Sequence, residues 1–187
     1  EGAEIKTGAG SRIELKLVDG SALRLGPKSH IELEKAKFNG NGQKEFSAKL
    51  IAGKAWAAVT KLFGFTSFFQ VKTKNAVAGV RGTQFAAALG QDGSSQIKVY
   101  SGQVLVSNKP IYAKKGATKE NRVEVAGPQE VSKKAWTELV ASAMQYITVS
   151  AAGKLSQTQP FKVAELPTDR EWEAWNLERD KLAGLSE

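Results

Sequence analysis

Apolar and polar residues alternate with a period of two over residues 12–106, which predicts a series of short β-strands. The alternation is clearest where Ile13 and Leu15 alternate with Glu14 and Lys16, and it recurs in runs at 23–25, 31–34, 46–50, 69–72, 85–89, 97–99 and 104–106. Turn-forming pairs such as Asp19-Gly20 separate nearly all of these runs. Many short strands without strand–helix–strand alternation predict a mainly β fold, either a short-stranded β-sandwich or a short β-solenoid.

The period of the pattern changes near residue 130. One helix is predicted over residues 131–147, whose apolar residues recur at helical spacing: Trp136, Leu139, Val140, Ala143 and Ile147. A second helix is predicted from about Thr168, because Glu171 three residues later completes a capping box. We therefore expect an all-β domain over residues 1–128 and a helical C-terminal extension over 129–187, with a linker at 150–167.

Composition excludes several classes of function. The chain has 187 residues, no Cys and one His, so thiolate metal sites, disulfides and cysteine nucleophiles are excluded. No stretch approaches the roughly 20 apolar residues that a membrane span requires, so we expect no membrane span in this chain.

Charge is distributed unevenly along the sequence. The chain carries 27 Lys and Arg against 19 Asp and Glu, a net charge of +8; residues 1–100 account for +7 of it, whereas residues 165–187 sum to −4. A basic half is consistent with attraction to an anionic partner such as an envelope glycan. The other interpretation is that solvated lysines keep the β-strands soluble, and the pattern favours it because the lysines alternate along the strands and do not cluster.

No catalytic, cofactor-binding or metal-ligating constellation is assembled in the sequence, so we expect no enzyme, no cofactor and no metal site. His30 lacks a recognisable nucleophile motif, and Asp19 and Asp92 each stand alone before a glycine, as turn residues do. The candidates for an exposed binding aromatic are Trp172 and Trp175, three residues apart in the second predicted helix, and Phe68. Phe68 precedes Phe69, so the two side chains are expected to face opposite sides of one strand.

Five segments in order resemble the FecR domain family, most clearly over residues 5–106. They are residues 7–15, 19–29, 50–56, 69–85 and 99–104. The positions expected to define the fold are Asp19, Gly20, Ser21, Gly53, Trp56, Gly82, Thr83, Phe85, Gly102 and Val104.

This resemblance implies an extracytoplasmic all-β domain of the bacterial cell envelope. In the founding members the domain is periplasmic, is attached to a membrane helix and a cytoplasmic anti-sigma segment, and receives a signal from an outer-membrane transporter. The present sequence is more similar to stand-alone FecR-domain proteins, and a chain that begins just before the domain is expected to have lost an export signal. We expect a non-enzymatic binding, scaffolding or signalling module with a protein partner in the periplasm or elsewhere in the envelope, and no nucleic acid. The alternative is a glycan- or peptidoglycan-binding module.

Overall fold

A computed structural model describes residues 1–39, 43–60, 67–80, 82–108, 140–162 and 167–185. Fourteen strands and one helix lie within these ranges. The strands are β1 (Ala3–Lys6), β2 (Ile13–Lys16), β3 (Ala22–Leu25), β4 (His30–Phe38), β5 (Lys44–Ala52), β6 (Lys54–Val59), β7 (Phe68–Lys72), β8 (Val77–Val80), β9 (Thr83–Leu89), β10 (Ser95–Ser101), β11 (Gln103–Ser107), β12 (Val140–Ser142), β13 (Gln145–Val149) and β14 (Gln159–Pro160), and the helix is α1 (Pro167–Leu182).

The strands form two seven-stranded sheets. The first sheet has the order β1-β4-β5-β7-β8-β11-β12, and the second sheet has the order β2-β3-β6-β9-β10-β13-β14. Neighbouring strands are antiparallel except for β5 and β7, which are parallel. Side chains from both sheets share one buried apolar cluster between them. The fold is therefore a mainly β sandwich, which decides between the two architectures that the sequence left open.

The core of the sandwich follows the period-two pattern. Leu25, Leu50 and Phe85 are fully buried, and Phe46 stacks on Phe69 with ring centroids 4.5 Å apart. Residues on the terminal strands are less enclosed: Ile13, Leu15 and Leu17, in and just after β2, pack against this cluster but remain partly exposed.

The helix predicted over 131–147 is wrong from residue 140 onward. Val140–Ser142 forms β12, which pairs with β11, and Gln145–Val149 forms β13, which pairs with β10. The run Gln145–Val149 also alternates with a period of two, and pairing buries Ile147 and Val149 in the core, a gain that a helix at this position would forgo. Met144 lies between the two strands with φ of 62°. Residues 131–139 lie outside the described residues.

Part of the segment predicted as a linker belongs to the second sheet, because Gln159–Pro160 forms β14 and pairs with β13. The division of the chain at 128/129 stays a prediction, since residues 109–139 are not among the described ones.

The second predicted helix is confirmed as α1. It begins at Pro167, a favourable first helical residue, and ends at Leu182. Gly184 has φ of 66°, and the amides of Gly184 and Leu185 donate to the carbonyls of Lys181 and Asp180 at 3.2 and 2.8 Å. This is the Schellman arrangement that terminates a helix. Within the described parts of the chain, no helix combines the length and apolar character that crossing a bilayer requires.

Candidate functional site

Helix α1 packs on the outer face of the second sheet. Strand register places one row of side chains across five neighbouring strands on this face: Glu14, Arg24, Trp56, Ala86 and Lys98. The helix meets this row with residues four apart, Trp172, Asn176 and Asp180, which share one helical face. We call the contact between this helix face and the row of sheet residues the polar seam.

Asp180 is the centre of the polar seam and is fully buried. Its Oδ1 accepts a hydrogen bond from Nη1 of Arg24 at 2.5 Å. Its Oδ2 accepts bonds from Nε1 of Trp56 at 2.8 Å and from Nε2 of Gln84 at 2.9 Å. One carboxylate on the helix therefore bonds to side chains from three adjacent strands, β3, β6 and β9.

Glu14 forms a second junction at the open edge of the seam. Arg179 binds its carboxylate in a bidentate manner, with Nε at 2.8 Å from Oε2 and Nη2 at 2.9 Å from Oε1. Nε of Arg24 also donates to Oε2 at 2.5 Å. Arg24, of which only 1% is exposed, is thus held between two carboxylates, one from the sheet and one from the helix.

A third charge pair closes the opposite side of the seam. Lys98 Nζ lies 2.9 Å from Oε1 of Glu173, and both side chains are about nine-tenths buried or more. Arg12 and Glu171 add a peripheral pair at 3.7 Å, which is largely exposed on the Glu171 side. Exposed ion pairs such as Arg12–Glu171 contribute little to stability because solvent screens them.

Aromatic rings fill the space between these charge pairs. Trp56 packs on Tyr100 with centroids 4.3 Å apart and belongs to a buried cluster with Trp172, separate from the sandwich core. Trp172 stacks on Trp175 at 5.5 Å. Three guanidinium groups lie over the Trp175 ring, those of Arg12, Arg24 and Arg179, at 5.4, 5.9 and 5.3 Å from its centroid. The seam therefore combines cation–π contacts with ion pairs.

Burial and charge shift the two carboxylates in opposite directions. The hydrogen bonds from Arg179, together with those from Arg24, outweigh burial and lower the pKa of Glu14 from 4.5 to about 2. For Asp180 burial dominates and raises the pKa above its usual 3.8, although Arg24, Trp56 and Gln84 oppose the shift. Glu14 is thus a firmly ionised partner, whereas burial works against the charged form of Asp180.

The interaction that the polar seam supports is the binding of a helix by one face of a sheet. A groove of about 380 Å³ lies beside it, between the C-terminal end of α1 and the β2–β3 hairpin, lined in part by Lys16, Leu17 and Leu182. Among the described residues no three His, Asp or Glu side chains come together as a metal site would require.

The first group of expected fold-defining residues forms a buried polar hub. Ser21 donates from its backbone N–H and its hydroxyl to Asp19 at 3.1 and 2.7 Å across Gly20. Lys44 Nζ contacts the same carboxylate and donates to Oγ1 of Thr60 at 2.8 Å. Burial alone would raise the pKa of Asp19, but the bonds from Lys44 and Ser21 outweigh it and lower the pKa. The hub ties the β2–β3 turn to β5 and to the end of β6.

Two of the expected glycines make close backbone approaches. A Cβ on Gly53 would lie 2.6 Å from Cα of Ser29, and one on Gly102 would lie 2.7 Å from the carbonyl oxygen of Gly82. Both residues also have φ of 76°, which only glycine adopts readily. The other expected positions lie nearby or in the core: Thr83 donates to the carbonyl of Gln103 at 3.0 Å, and Phe85 and Val104 are fully buried.

The structure brings two of the three candidate binding aromatics together at the seam and places the third on the other sheet. Trp172 is buried in the seam, Trp175 is half-buried beneath the arginines, and Phe68 is half-buried on the first sheet, with Nζ of Lys35 at 5.6 Å from its ring. The adjacent Phe69 faces the core, as expected. Helix α1 covers the other sheet and does not cover Phe68.

The sequence did not reveal the polar residues of the seam. They are Arg24, Gln84, Lys98, Glu173, Asn176 and Asp180. On strands they occupy outward positions, which period-two reasoning assigns to solvent. One signal was present: Trp56 alternates with Ala55 and Ala57, so it points away from the core that those alanines face.

Comparison with known proteins supports the fold. Two solved structures of proposed anti-sigma factors from Parabacteroides distasonis superpose with a TM-score of 0.56 each, at 18% and 17% identity. The matches cover 84% and 93% of this chain but only 59% and 64% of those chains, so this chain spans about three fifths of their length. At such identity the likeness is one of fold. No curated protein matches the chain.

The family model described as FecR protein matches residues 3–105. That range begins at the first residue of β1 and ends in β11, and it contains the Asp19 hub, the Gly53 and Gly102 approaches and Trp56. It covers more than half of the 187 residues. The chain belongs to the FecR protein family.

Proposed function

We propose that this chain is a non-enzymatic signalling or regulatory module that acts on the extracytoplasmic side of the cell envelope by binding another protein. Membership of the FecR family supports a regulatory role. The observation that carries the proposal is the polar seam, in which a sheet face binds a helix through matched buried charges. Charge pairs of this kind are weak contributors to stability compared with well-packed apolar residues, but they select one partner in one register.

The seam gives the module a defined surface for a partner. Asp180 fixes α1 along its axis through three strands, and the Glu173–Lys98 pair fixes it from the side. The outward residues of α1, among them Arg170, Ala174 and Glu178, are exposed. A partner would meet an ordered helix on a rigid sandwich, which reduces the entropy lost on binding.

A pull-down from the envelope fraction of the source bacterium tests this proposal. We expect the intact chain to recover a partner, Asp92→Ala in the remote β9–β10 turn to recover it equally, and Asp180→Ala to recover several-fold less because α1 loses its anchor. Equal recovery with Asp180→Ala would show that the polar seam does not contribute to the surface that binds the partner. No recovery with any variant, or turnover in a panel of ester, peptide and glycan substrates, would overturn the proposed function.

The alternative of a glycan- or peptidoglycan-binding module stays a prediction. The seam takes up Trp172 and surrounds Trp175 with guanidinium groups, so these rings are engaged within the molecule. Binding to cell-wall sacculi that survives about 0.5 M salt would favour this alternative, since that salt concentration screens exposed charges strongly.

A further inference from the structure

Among the described strands, β2 ends the second sheet, and no described strand pairs with one of its sides, which we call its open side. Its other side pairs with β3 in the register Glu14↔Arg24 and Leu15↔Leu23. The amide of Leu17 donates to the carbonyl of Ser21 at 2.8 Å, which identifies this pair as hydrogen-bonded. Because hydrogen-bonded and non-bonded pairs alternate along an antiparallel ladder, Leu15 also bonds to β3. The backbone groups of Glu14 and Lys16 therefore point to the open side.

The side chains of β2 indicate that this edge is incompletely covered. On the inner face, Ile13 and Leu15 are partly exposed, whereas Leu23 and Leu25 on the neighbouring strand are fully buried. On the outer face, the side chain of Lys16 is 78% exposed. An added strand would cover the apolar residues on one face and meet charged residues on the other.

We propose that a second copy of this chain adds to the open side of β2, forming an antiparallel β2–β2′ pair about a two-fold axis at Leu15. This register places Glu14 of each copy opposite Lys16 of the other, and these are the two residues whose backbone groups face outward. Leu15 then lies opposite its own counterpart in a non-bonded pair, where side chains approach closely. Centring the axis on Glu14 or Lys16 would instead oppose like charges, which is destabilising.

The neighbouring edge of the first sheet repeats this arrangement. In β1, Glu4-Ile5-Lys6 has the same order of acidic, apolar and basic residues as Glu14-Leu15-Lys16. The amide of Thr7 donates to the carbonyl of Ser29 at 2.9 Å, so Glu4 and Lys6 also direct their backbone groups away from the neighbouring strand. At the far side of the sandwich, β12 of the first sheet contacts β10 and β13 of the second, so β1 and β2 lie on the same side. A two-fold axis perpendicular to the layers is compatible with continuing either sheet into a second copy.

This pattern identifies a second copy of this chain as the fitting partner, because the charge order is complementary to itself. Lone lysines on an edge strand would serve to prevent pairing, but here each lysine is matched by a glutamate two residues away. Glu14 also retains its bonds to Arg24 and Arg179 in this register, since they lie toward β3 and α1. A contact limited to two short edge strands is small, so we expect a weak dimer that forms only at high protein concentration.

Single cysteines test the register, because the chain has no Cys of its own. Opposed residues of a non-bonded antiparallel pair have Cα atoms about 4.5 Å apart, within the range that a disulfide spans. We expect Leu15→Cys to form a disulfide-linked dimer under mild oxidation. Val18→Cys is the control, since Val18 is 84% exposed but lies opposite Arg12 in this register. Equal or faster cross-linking of Val18→Cys would overturn the register.

Charge reversal tests the interface without a cysteine. We expect the intact chain to double its mass in sedimentation equilibrium as its concentration rises toward about 0.5 mM. Lys16→Glu, which sets two acidic pairs opposite each other, and Lys16→Pro, which removes an edge-facing amide, should both remain monomeric. Lys154→Glu, an exposed lysine beyond β13, makes the same change in net charge and should still dimerise. A monomeric intact chain, or a Lys16→Glu variant that dimerises normally, would overturn the proposal.

Discussion

Replacing Asp180 with alanine is the sharpest test of the polar seam. The substitution removes the acceptor of three hydrogen bonds at once, from Arg24, Trp56 and Gln84. All three donors are buried, with Trp56 fully enclosed and Arg24 only 1% exposed. Water cannot readily replace the lost acceptor, so each donor keeps its desolvation cost without a partner.

The expected loss can be estimated from these contacts. A buried neutral donor left without an acceptor costs about 1–3 kcal/mol, which applies to Trp56 and Gln84. Arg24 keeps Glu14 as a counter-charge at 2.5 Å, so its contribution lies below the full cost of an unpaired buried charge. We expect the free energy of unfolding to fall by about 3–5 kcal/mol. For a domain of this size that corresponds to a decrease in Tm of about 6–20 °C.

Thermal and urea denaturation followed by tryptophan fluorescence would measure this change, since Trp56, Trp172 and Trp175 all lie in the seam. Asp180→Asn should lose less than Asp180→Ala, because one amide oxygen can serve either Arg24 or the Trp56–Gln84 pair but not both. Glu178→Ala, on the exposed side of the same helix, should change the unfolding free energy by less than about 0.5 kcal/mol. An Asp180→Ala variant within 1 kcal/mol of the intact chain would contradict the reasoning.

Three further substitutions test individual contacts by denaturation. The pKa of Glu14 is lowered from 4.5 to about 2. The ionised Glu14 therefore stabilises the folded protein fully above pH 4.5, and this stabilisation is lost as the pH falls through 2. The difference in unfolding free energy between the intact chain and Glu14→Gln should shrink over the same pH interval. Lys44→Met should cost about 2 kcal/mol, since it leaves the Asp19 carboxylate without its counter-charge. Gly53→Ala should cost at least about 2 kcal/mol, more than Gly184→Ala, where φ is also positive but a Cβ would meet no atom of the other described residues within 4 Å.

The sandwich was predictable wherever one face of a strand is buried. In β3 and β5 the alternating apolar residues all enter the core, as do Phe85 and Ala87 of β9, and the intervening turns fall at the predicted glycines, such as Gly20 and Gly102. Period-two alternation is a local property of the chain, so it can be recognised without knowing which strands pair. The order of the strands and the parallel pairing of β5 with β7 depend on distant contacts, and the pattern carries no information about them.

The region after residue 140 shows why the same reasoning failed there. Ile147 satisfies a helical spacing with Ala143 and Val140, but it also alternates with its neighbours in β13. Short apolar runs are ambiguous between the two periods. What decides the outcome is the open edge of β10, whose backbone groups β13 satisfies by pairing. That edge exists only in the folded molecule.

The seam was missed for a different reason. Arg24, Gln84 and Lys98 are polar residues at outward strand positions, and sequence alone assigns such residues to solvent. Only the fold shows that a later segment covers this face. Trp56, one of the positions expected to define the fold, lies beneath α1 and not in the sandwich core. A tryptophan that alternates against small inward residues is the local signature of a second covered face.

The position of α1 explains part of the uneven charge distribution along the chain. The basic excess of residues 1–100 and the acidic excess of residues 165–187 meet across the seam, where Arg24 pairs with Asp180 and Lys98 with Glu173. A basic half that suggests an external anion therefore uses part of its charge internally. Because α1 is held by charge pairs as well as by aromatic packing, its docking specifies register as well as contact. Charge order has the same effect in β2, where alternating charges favour the alignment of two copies centred on Leu15 over alignments centred on Glu14 or Lys16. At both surfaces the order of charged residues therefore fixes how the paired elements are aligned.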